Sequence, residues 1–242
     1  MTPRIYWQAK HPGISLKIFL RNLRAHAGLD LFHAKNPKVA VQLNVTRHPY
    51  SFNGDSPPSN TPQGEEKTWH DGLLPYCGGS EKTRAAAESQ MQALASIAGI
   101  RFDYGVQTNW HPVDSQRLMW WAGRHGKQEE YMSALAHRHF ECRESASHAT
   151  TLLKVVEEVG LSIEAAEKFL AGGELSEEVW RSYGSTIHEK GIDAIPFFVF
   201  NGPGSNGGPF RQGPGKATII RGSADPKTFL QVFQELCDNQ GK

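Results

Sequence analysis

Cysteine is scarce in this chain: Cys77, Cys142 and Cys237 are the only three in 242 residues. They lie far apart, so no Cys-x-x-Cys pair exists. Neither a zinc knuckle nor a vicinal dithiol can form from sequence neighbours. An odd, sparse count fits a reducing compartment where thiols stay free. The simplest expectation for each is a small buried apolar side chain. A charge excess is missing too: 26 Lys+Arg face 25 Asp+Glu, for a net +1. That leaves no broad basic field to draw nucleic acid. No apolar run approaches the ~20 residues of a membrane-spanning helix, so no membrane partner is expected. The start MTPRIYWQAKHPG lacks the apolar stretch of a secretory signal. A cytoplasmic protein is the resulting expectation. Residues 1–29 carry five basic residues and no acid, which also fits a mitochondrial presequence and a matrix location. The same residues read equally as a first strand and helix.

What is present is globular: 38% hydrophobic and 10% aromatic residues. Ile5-Tyr6-Trp7 is a short β-prone run, and His11-Pro12-Gly13 reads as its break. Leu16, Phe19, Leu20 and Leu23 fall at helical spacing, with Gly28 a plausible stop. Val39, Val41, Leu43 and Val45 alternate, which predicts a strand over 39–45. Residues 53–68 hold three prolines and no periodicity, so they read as loop. The middle is helical. Ala87/Met91/Leu94/Ala98, Leu118/Trp121/Ala122, Met132/Leu135/Ala136/His139 and Leu152/Val156/Val159 mark successive faces. Asp114, Ser162 and Ser176 are candidate caps. Trp120-Trp121 reads as helix packing. Residues 195–200 are the most strand-like run, a Gly/Pro-rich loop follows to 215, and 217–221 is a second strand. Asp225-Pro226 then starts an amphipathic helix bearing Phe229, Val232, Phe233 and Leu236. The order β-α-β, long helical block, β-β-α is a single α/β unit split by an insertion, because neither half-sheet would bury its faces alone.

Three stretches carry a resemblance to a known family. Lys190 to Phe200 (KGIDAIPFFVF) is similar to a "GV-x-GVP-x-FV" segment, and Asp114 to Leu118 with Trp121-Ala122 to an "NT-x-x-(A/S)-H-R-L" helix start. Arg47-His48-Pro49-Tyr50-Ser51-Phe52 is similar to "RPF-x-L". With Gly99 to Asp103 in support, the chain resembles the DsbA family of thioredoxin-like proteins. The FrnE-like oxidoreductases, 2-hydroxychromene-2-carboxylate isomerases and kappa-class glutathione transferases are its nearest branches. The resemblance implies a thioredoxin-like domain at 1–52 and 188–242, a helical insertion domain at 69–187, and a loop at 53–68. It also implies a cis proline at Pro196 beside the active site, and a homodimer by analogy with kappa-class relatives.

One departure matters more than the match. After its first strand the family carries Cys-Pro-x-Cys or a Ser-Pro variant. Here that position reads His11-Pro12-Gly13-Ile14-Ser15, with no sulfur. In the insertion, Asn-Thr becomes His111-Pro112 and the motif's His becomes Gln116.

Dithiol exchange needs a thiolate and a resolving thiol, so ordinary dithiol activity is not expected. The alternative is glutathione-linked chemistry, in which a helix N-terminus stabilises a bound thiolate. His11 and Ser15 are then the candidate catalytic residues. Pro12, Gly13, Ile195 and Pro196 are candidate substrate-binding residues, the last two offering backbone hydrogen bonds to a peptide-like ligand. Beside this stand plainer readings: Ser15 as a helix N-cap, His11 as a solvated loop residue, Ile195–Pro196 as a turn into a buried strand. The expected partner is a small-molecule or thiol substrate, with no tightly bound cofactor and glutathione as cosubstrate. A second class stays open: a catalytically silent module that binds a peptide or small molecule in the old groove. No metal site is expected. His137 and His139 lie on different faces of a helix, and His139 with Cys142 at i, i+3 gives only two ligands. Residues 213–218 fail the P-loop pattern.

Overall fold

A computed structural model of the chain describes residues 4–12, 16–39, 41–50, 66–97, 100–108, 113–185, 192, 197–201, 218–221 and 224–238. The first part is β1 (Arg4–Pro12), α1 (Leu16–Lys35) and β2 (Gln42–Tyr50). A short ribbon pairs β3 (Lys67–Thr68) with β4 (Gln107–Thr108), and between them run α2 (Trp69–Leu73), a 3-10 turn (Pro75–Cys77) and α3 (Glu81–Ile97). Five helices follow: α4 (Val113–Arg124), α5 (Gln128–Glu141), α6 (Ala149–Glu158), α7 (Ile163–Ala171) and α8 (Ser176–Gly184). The chain closes with β5 (Phe197–Asn201), β6 (Thr218–Arg221) and α9 (Pro226–Asp238). The main sheet has the order β2-β1-β5-β6, and β5 is antiparallel to both neighbours. This is a thioredoxin-type fold with a helical insertion. Two compact units result: residues 1–11, 17–48 and 185–242, and residues 12–16 with 49–184. Among the described residues no helix is long and apolar enough to cross a membrane.

In the first unit, strand alternation separates two apolar faces. Phe198, Phe200 and Ile220 point into a core with Ala25 and Phe32 of α1 and Phe229, Leu230, Val232 and Phe233 of α9. The rings meet edge to face, Phe198–Phe229 at 5.3 Å and Phe200–Phe233 at 5.9 Å. Each such ring contributes about 1.5–3 kcal/mol of burial. The opposite face gathers Phe197 and Val199 with Ile192 and Ile219. Asp225 starts α9 as its sequence suggests. Its Oδ1 accepts from the Thr228 amide at 2.8 Å, and this backbone hydrogen bond holds its carboxyl below the usual range.

Three expectations need correction. His11 and Pro12 do not break the first strand but end it; a terminal proline is tolerated because no ladder N–H is required of it. The predicted 39–45 strand begins only at Gln42. Before it, the Val39 amide bonds to the Asn36 carbonyl in a turn and Val39 is exposed. Gly28 does not stop α1, which runs on to Lys35. Its role is close approach: a Cβ there would lie 2.5 Å from Phe229 Cβ and 2.9 Å from the Pro226 carbonyl. Gly28→Val is therefore expected to cost about 1–3 kcal/mol by overpacking, which valine's slightly better helix propensity does not offset. A lowered urea midpoint would show it, and an unchanged midpoint would mean α1 and α9 are not in tight contact.

The helical unit is built from α4 to α8 around Leu118, Met119, Tyr131, Leu135, Phe140, Leu152, Val156, Phe169, Val179 and Tyr183, all buried. Ser162 caps α7, its Oγ accepting from the Ala165 amide at 3.1 Å. The stretch 186–191, where the longer reading of α8 with Ile187 falls, lies outside the described residues. The cysteines depart from the buried expectation: Cys142 is exposed, and Cys77 and Cys237 are only partly covered.

Candidate functional site

The register of the main sheet fixes one end of it. Lys10, the residue before His11, faces Phe197, the residue after Pro196. Phe197 in turn faces Arg221. His11 and Pro12 therefore extend β1 beyond its last registered pair, at the end of the sheet where β5 begins and β6 finishes. After three intervening residues α1 starts at Leu16. Its first turn carries no acidic side chain of its own to offset the partial positive charge of a helix start. Of the six residues predicted for the site, His11 and Pro12 are thus placed by their strand backbone. Gly13, Ser15, Ile195 and Pro196 lie outside the described residues.

Sequence reasoning missed one residue at this end. Arg221 is exposed, and its guanidinium sits 5.6 Å from the centre of the Phe197 ring, a cation–π contact between facing strand residues. The pairing follows from the β5–β6 register, which the sequence alone does not supply. At this end of the sheet the register thus sets the start of β5 between the end of β1 and a strand-borne cation, Arg221.

In the helical unit, the motif Asp114-Ser115-Gln116-Arg117-Leu118 acts as a frame. Gln116 Nε2 donates to the Tyr50 carbonyl at 3.2 Å, and Ser182 Oγ donates to the Pro49 carbonyl at 3.1 Å. Two of the stretches that carried the family resemblance therefore meet directly. Arg117, 3% exposed, closes the C-terminal end of α7. It donates to the carbonyls of Phe169 (3.0 Å), Leu170 (3.5 Å), Gly172 and Glu174 (2.8 Å), and to Asp114 Oδ1 (2.7 Å).

His139 is buried, with both ring nitrogens in hydrogen-bond contact. Trp69 Nε1 donates to its Nε2 at 3.1 Å, while its Nδ1 lies 3.2 Å from the Glu144 carbonyl. Because Trp69 can only donate, Nε2 is the acceptor and the neutral ring carries its proton on Nδ1, toward the Glu144 carbonyl and not as acceptor from the Ala146 amide 3.3 Å away. Burial pushes its pKa down to about 4. The expectation that Cys142 shares a face with His139 fails. Cys142 closes α5 outside helical geometry, and its sulfur lies beside His137 instead. Among the described residues no group of three or more His, Cys, Asp or Glu could hold a metal ion.

The same unit holds a cleft of about 390 Å³ lined by His70, Gln92, Arg101, Phe102, Asp103, Tyr104 and Glu141. Asp103 and His70 are paired. Arg143 grips Asp103 at 2.8 and 3.0 Å and holds that carboxyl below the usual range. His70 Nδ1 lies 2.7 Å from the buried Glu88, which also takes Arg84 at 2.5 Å. Burial, with Glu88 nearby, keeps the Tyr104 hydroxyl protonated far above its usual range.

Comparison with known proteins places this fold. The chain is similar to a probable DsbA oxidoreductase from Streptomyces coelicolor, with TM-score 0.74, 17% identity, and 98% of this chain and 90% of that one covered. It is also similar to a 2-hydroxychromene-2-carboxylate isomerase, with TM-score 0.57, 11% identity and 98% of both chains covered. A third likeness is to the cytosolic disulfide reductase DsbM from Pseudomonas aeruginosa solved with GSH, with TM-score 0.53, 13% identity, and 96% of this chain and 99% of that one covered. At these identities the likeness is one of fold. No curated protein matches the chain in sequence. The family model of the DSBA-like thioredoxin domain matches residues 17–234, and a chain matched over that span, with the split sheet and helical block just described, belongs to the DSBA-like thioredoxin domain family.

Proposed function

We propose that this DSBA-like protein acts on a thiol or a glutathione-linked small substrate at the passage from β1 to α1, by a mechanism that uses no dithiol. One observation carries the reading: between the end of β1 and the start of α1 the chain reads His11-Pro12-Gly13-Ile14-Ser15, without sulfur. A cysteine pair would attack a disulfide and resolve the mixed disulfide that results. Without it the same place suits a thiolate carried by the ligand. The amides of a helix start stabilise such an anion, and the first turn of α1 carries no acidic side chain of its own to oppose that effect. His11 and Ser15 are assigned to the sulfur as hydrogen-bond donors. Ile195 and Pro196 are assigned to the peptide backbone of a ligand such as glutathione, and Arg221 to a carboxylate. The names of two structural relatives support the reading, one a disulfide reductase solved with GSH and one an isomerase.

Insulin-disulfide reduction tests the mechanism. The wild-type protein is expected to stay at background. His11→Cys combined with Ile14→Cys is expected to gain activity, because it restores the Cys-Pro-x-Cys spacing on the β1–α1 passage. Wild-type reductase activity that disappears in Cys77→Ser, Cys142→Ser or Cys237→Ser would overturn the non-dithiol reading.

A further inference from the structure

The residue that caps the C-terminal end of α5 is a nucleophile that the β1–α1 site does not use. Cys142 is exposed, and its Sγ lies 3.6 Å from His137 Nε2. On the far side of the ring, His137 Nδ1 lies 3.3 Å from Glu141 Oε1. Sulfur, imidazole and carboxylate thus stand in line with the imidazole between the other two. This is the order that activates a cysteine: a base in contact with the thiol, and a third group that holds the base. Glu141 is only 19% exposed and also lines the cleft of about 390 Å³ that includes Phe102 and Tyr104. A space of that size admits a small ligand, and one imidazole separates its wall from the sulfur. The other two cysteines differ. Cys77 is partly covered, and burial, with Asp238 nearby, pushes the Cys237 thiol up.

We propose that Cys142, with His137 as its base and Glu141 as the group that orients His137, is a site of mixed-disulfide formation with low-mass disulfides. His137 Nε2 takes the Sγ proton. The Cys142 thiolate attacks one sulfur of the disulfide, the new S–S bond forms and the old one breaks. The departing thiolate takes the proton back from the His137 imidazolium. Cys142 is thereby oxidised to a mixed disulfide and the departing half is reduced to a thiol, so the incoming disulfide is the only oxidant required. The C-terminal end of α5 opposes a negative sulfur. This leaves the His137 contact to decide the rate. The proposal does not rest on glutathione binding at the β1–α1 passage.

The test incubates the full-length protein with oxidised glutathione and follows each cysteine by peptide mass spectrometry. Cys142 is expected to be modified first, and His137→Ala to slow its modification about tenfold, as loss of an activating base does. Glu141→Gln is expected to give a smaller slowing. Exposure alone would also favour Cys142 over Cys77 and Cys237, but would leave its rate unchanged in His137→Ala. His137 is 56% exposed, so its truncation is expected to leave thermal melting unchanged. His137→Gln, which keeps a polar side chain without the base, is expected to match His137→Ala and separates chemistry from folding. An unchanged Cys142 rate in both His137 variants, or modification reaching Cys77 or Cys237 first, overturns the proposal.

Discussion

Arg117→Ala is expected to lower the unfolding free energy by about 3–5 kcal/mol, the range for removing one partner from a buried charged network. The side chain is almost fully buried and serves four carbonyls of 169–174 together with Asp114. The last carbonyls of a helix have no intrahelical donor, and here the guanidinium fork supplies donors to the end of α7. It also packs over the Phe169 ring at 5.0 Å. Truncation leaves those carbonyls unsatisfied, removes the stacked plane and opens a void between α4 and α7. Arg117→Lys keeps a charge but not the planar fork, so it is expected to recover only part of the loss. Urea denaturation followed by circular dichroism measures both. A loss below about 1 kcal/mol for Arg117→Ala, the level of an exposed ion pair, would show that the guanidinium does not hold the end of α7.

The second large effect is a loss of stability in mild acid through His139. An unfolded histidine titrates near 6.5, whereas burial holds the folded ring at about 4. Above about 6.5 both states are neutral and the stability is complete. As pH falls from there, the unfolded chain takes up a proton that the folded chain refuses. Stability then drops until about 4, where both states are protonated and the loss stops. The sum across that window is on the order of 3 kcal/mol by linkage. Protonation also turns Nε2 from acceptor to donor and sets it against Trp69 Nε1–H, so the loss should coincide with a change in tryptophan emission. His139→Gln keeps an acceptor for Trp69 without titrating. It is expected to flatten the pH dependence of the urea midpoint between about 6.5 and 4. Wild-type and His139→Gln proteins with the same slope in that window would exclude His139 as its source.

The legible parts of the fold are those set by local signals. Phe197 to Phe200 and Thr218 to Arg221 are runs of strand formers between Gly/Pro-rich breaks. Asp225-Pro226 followed by Phe229, Val232 and Phe233 states cap, first turn and buried face within a few residues, and α9 begins where they place it. Ser162 does the same for α7. Failures occur where the deciding partner is remote. Gly28 reads as a helix stop until Phe229, some 200 residues away, is seen to occupy the space a Cβ would need. Arg117 offers only an i, i+3 spacing to Asp114, because its carbonyl partners lie more than 50 residues ahead. His139 and Cys142 obey helical spacing on paper, but α5 ends between them.

The candidate site divides the same way. The missing sulfur is a plain sequence fact once the first strand and helix are placed. His11 and Pro12 take their positions from β1, and Phe197 locates the start of β5 opposite Lys10. Arg221 was invisible, since only the strand register sets it beside Phe197. In the helical unit, the i, i+3 spacing of His139 and Cys142 does not set what the sulfur meets: it lies beside His137.

In the proposed function, the β1–α1 passage receives a ligand thiol in place of its own. Calorimetric titration of reduced glutathione into wild-type, His11→Ala and Pro196→Ala proteins tests it most directly, with thermal melts to confirm folding. Saturable binding to the wild type is expected in the micromolar-to-millimolar range, about 4–8 kcal/mol, weakened at least about tenfold (roughly 1.4 kcal/mol) in each folded variant. No saturable heat with the wild type, or equal affinities in all three proteins, would contradict it.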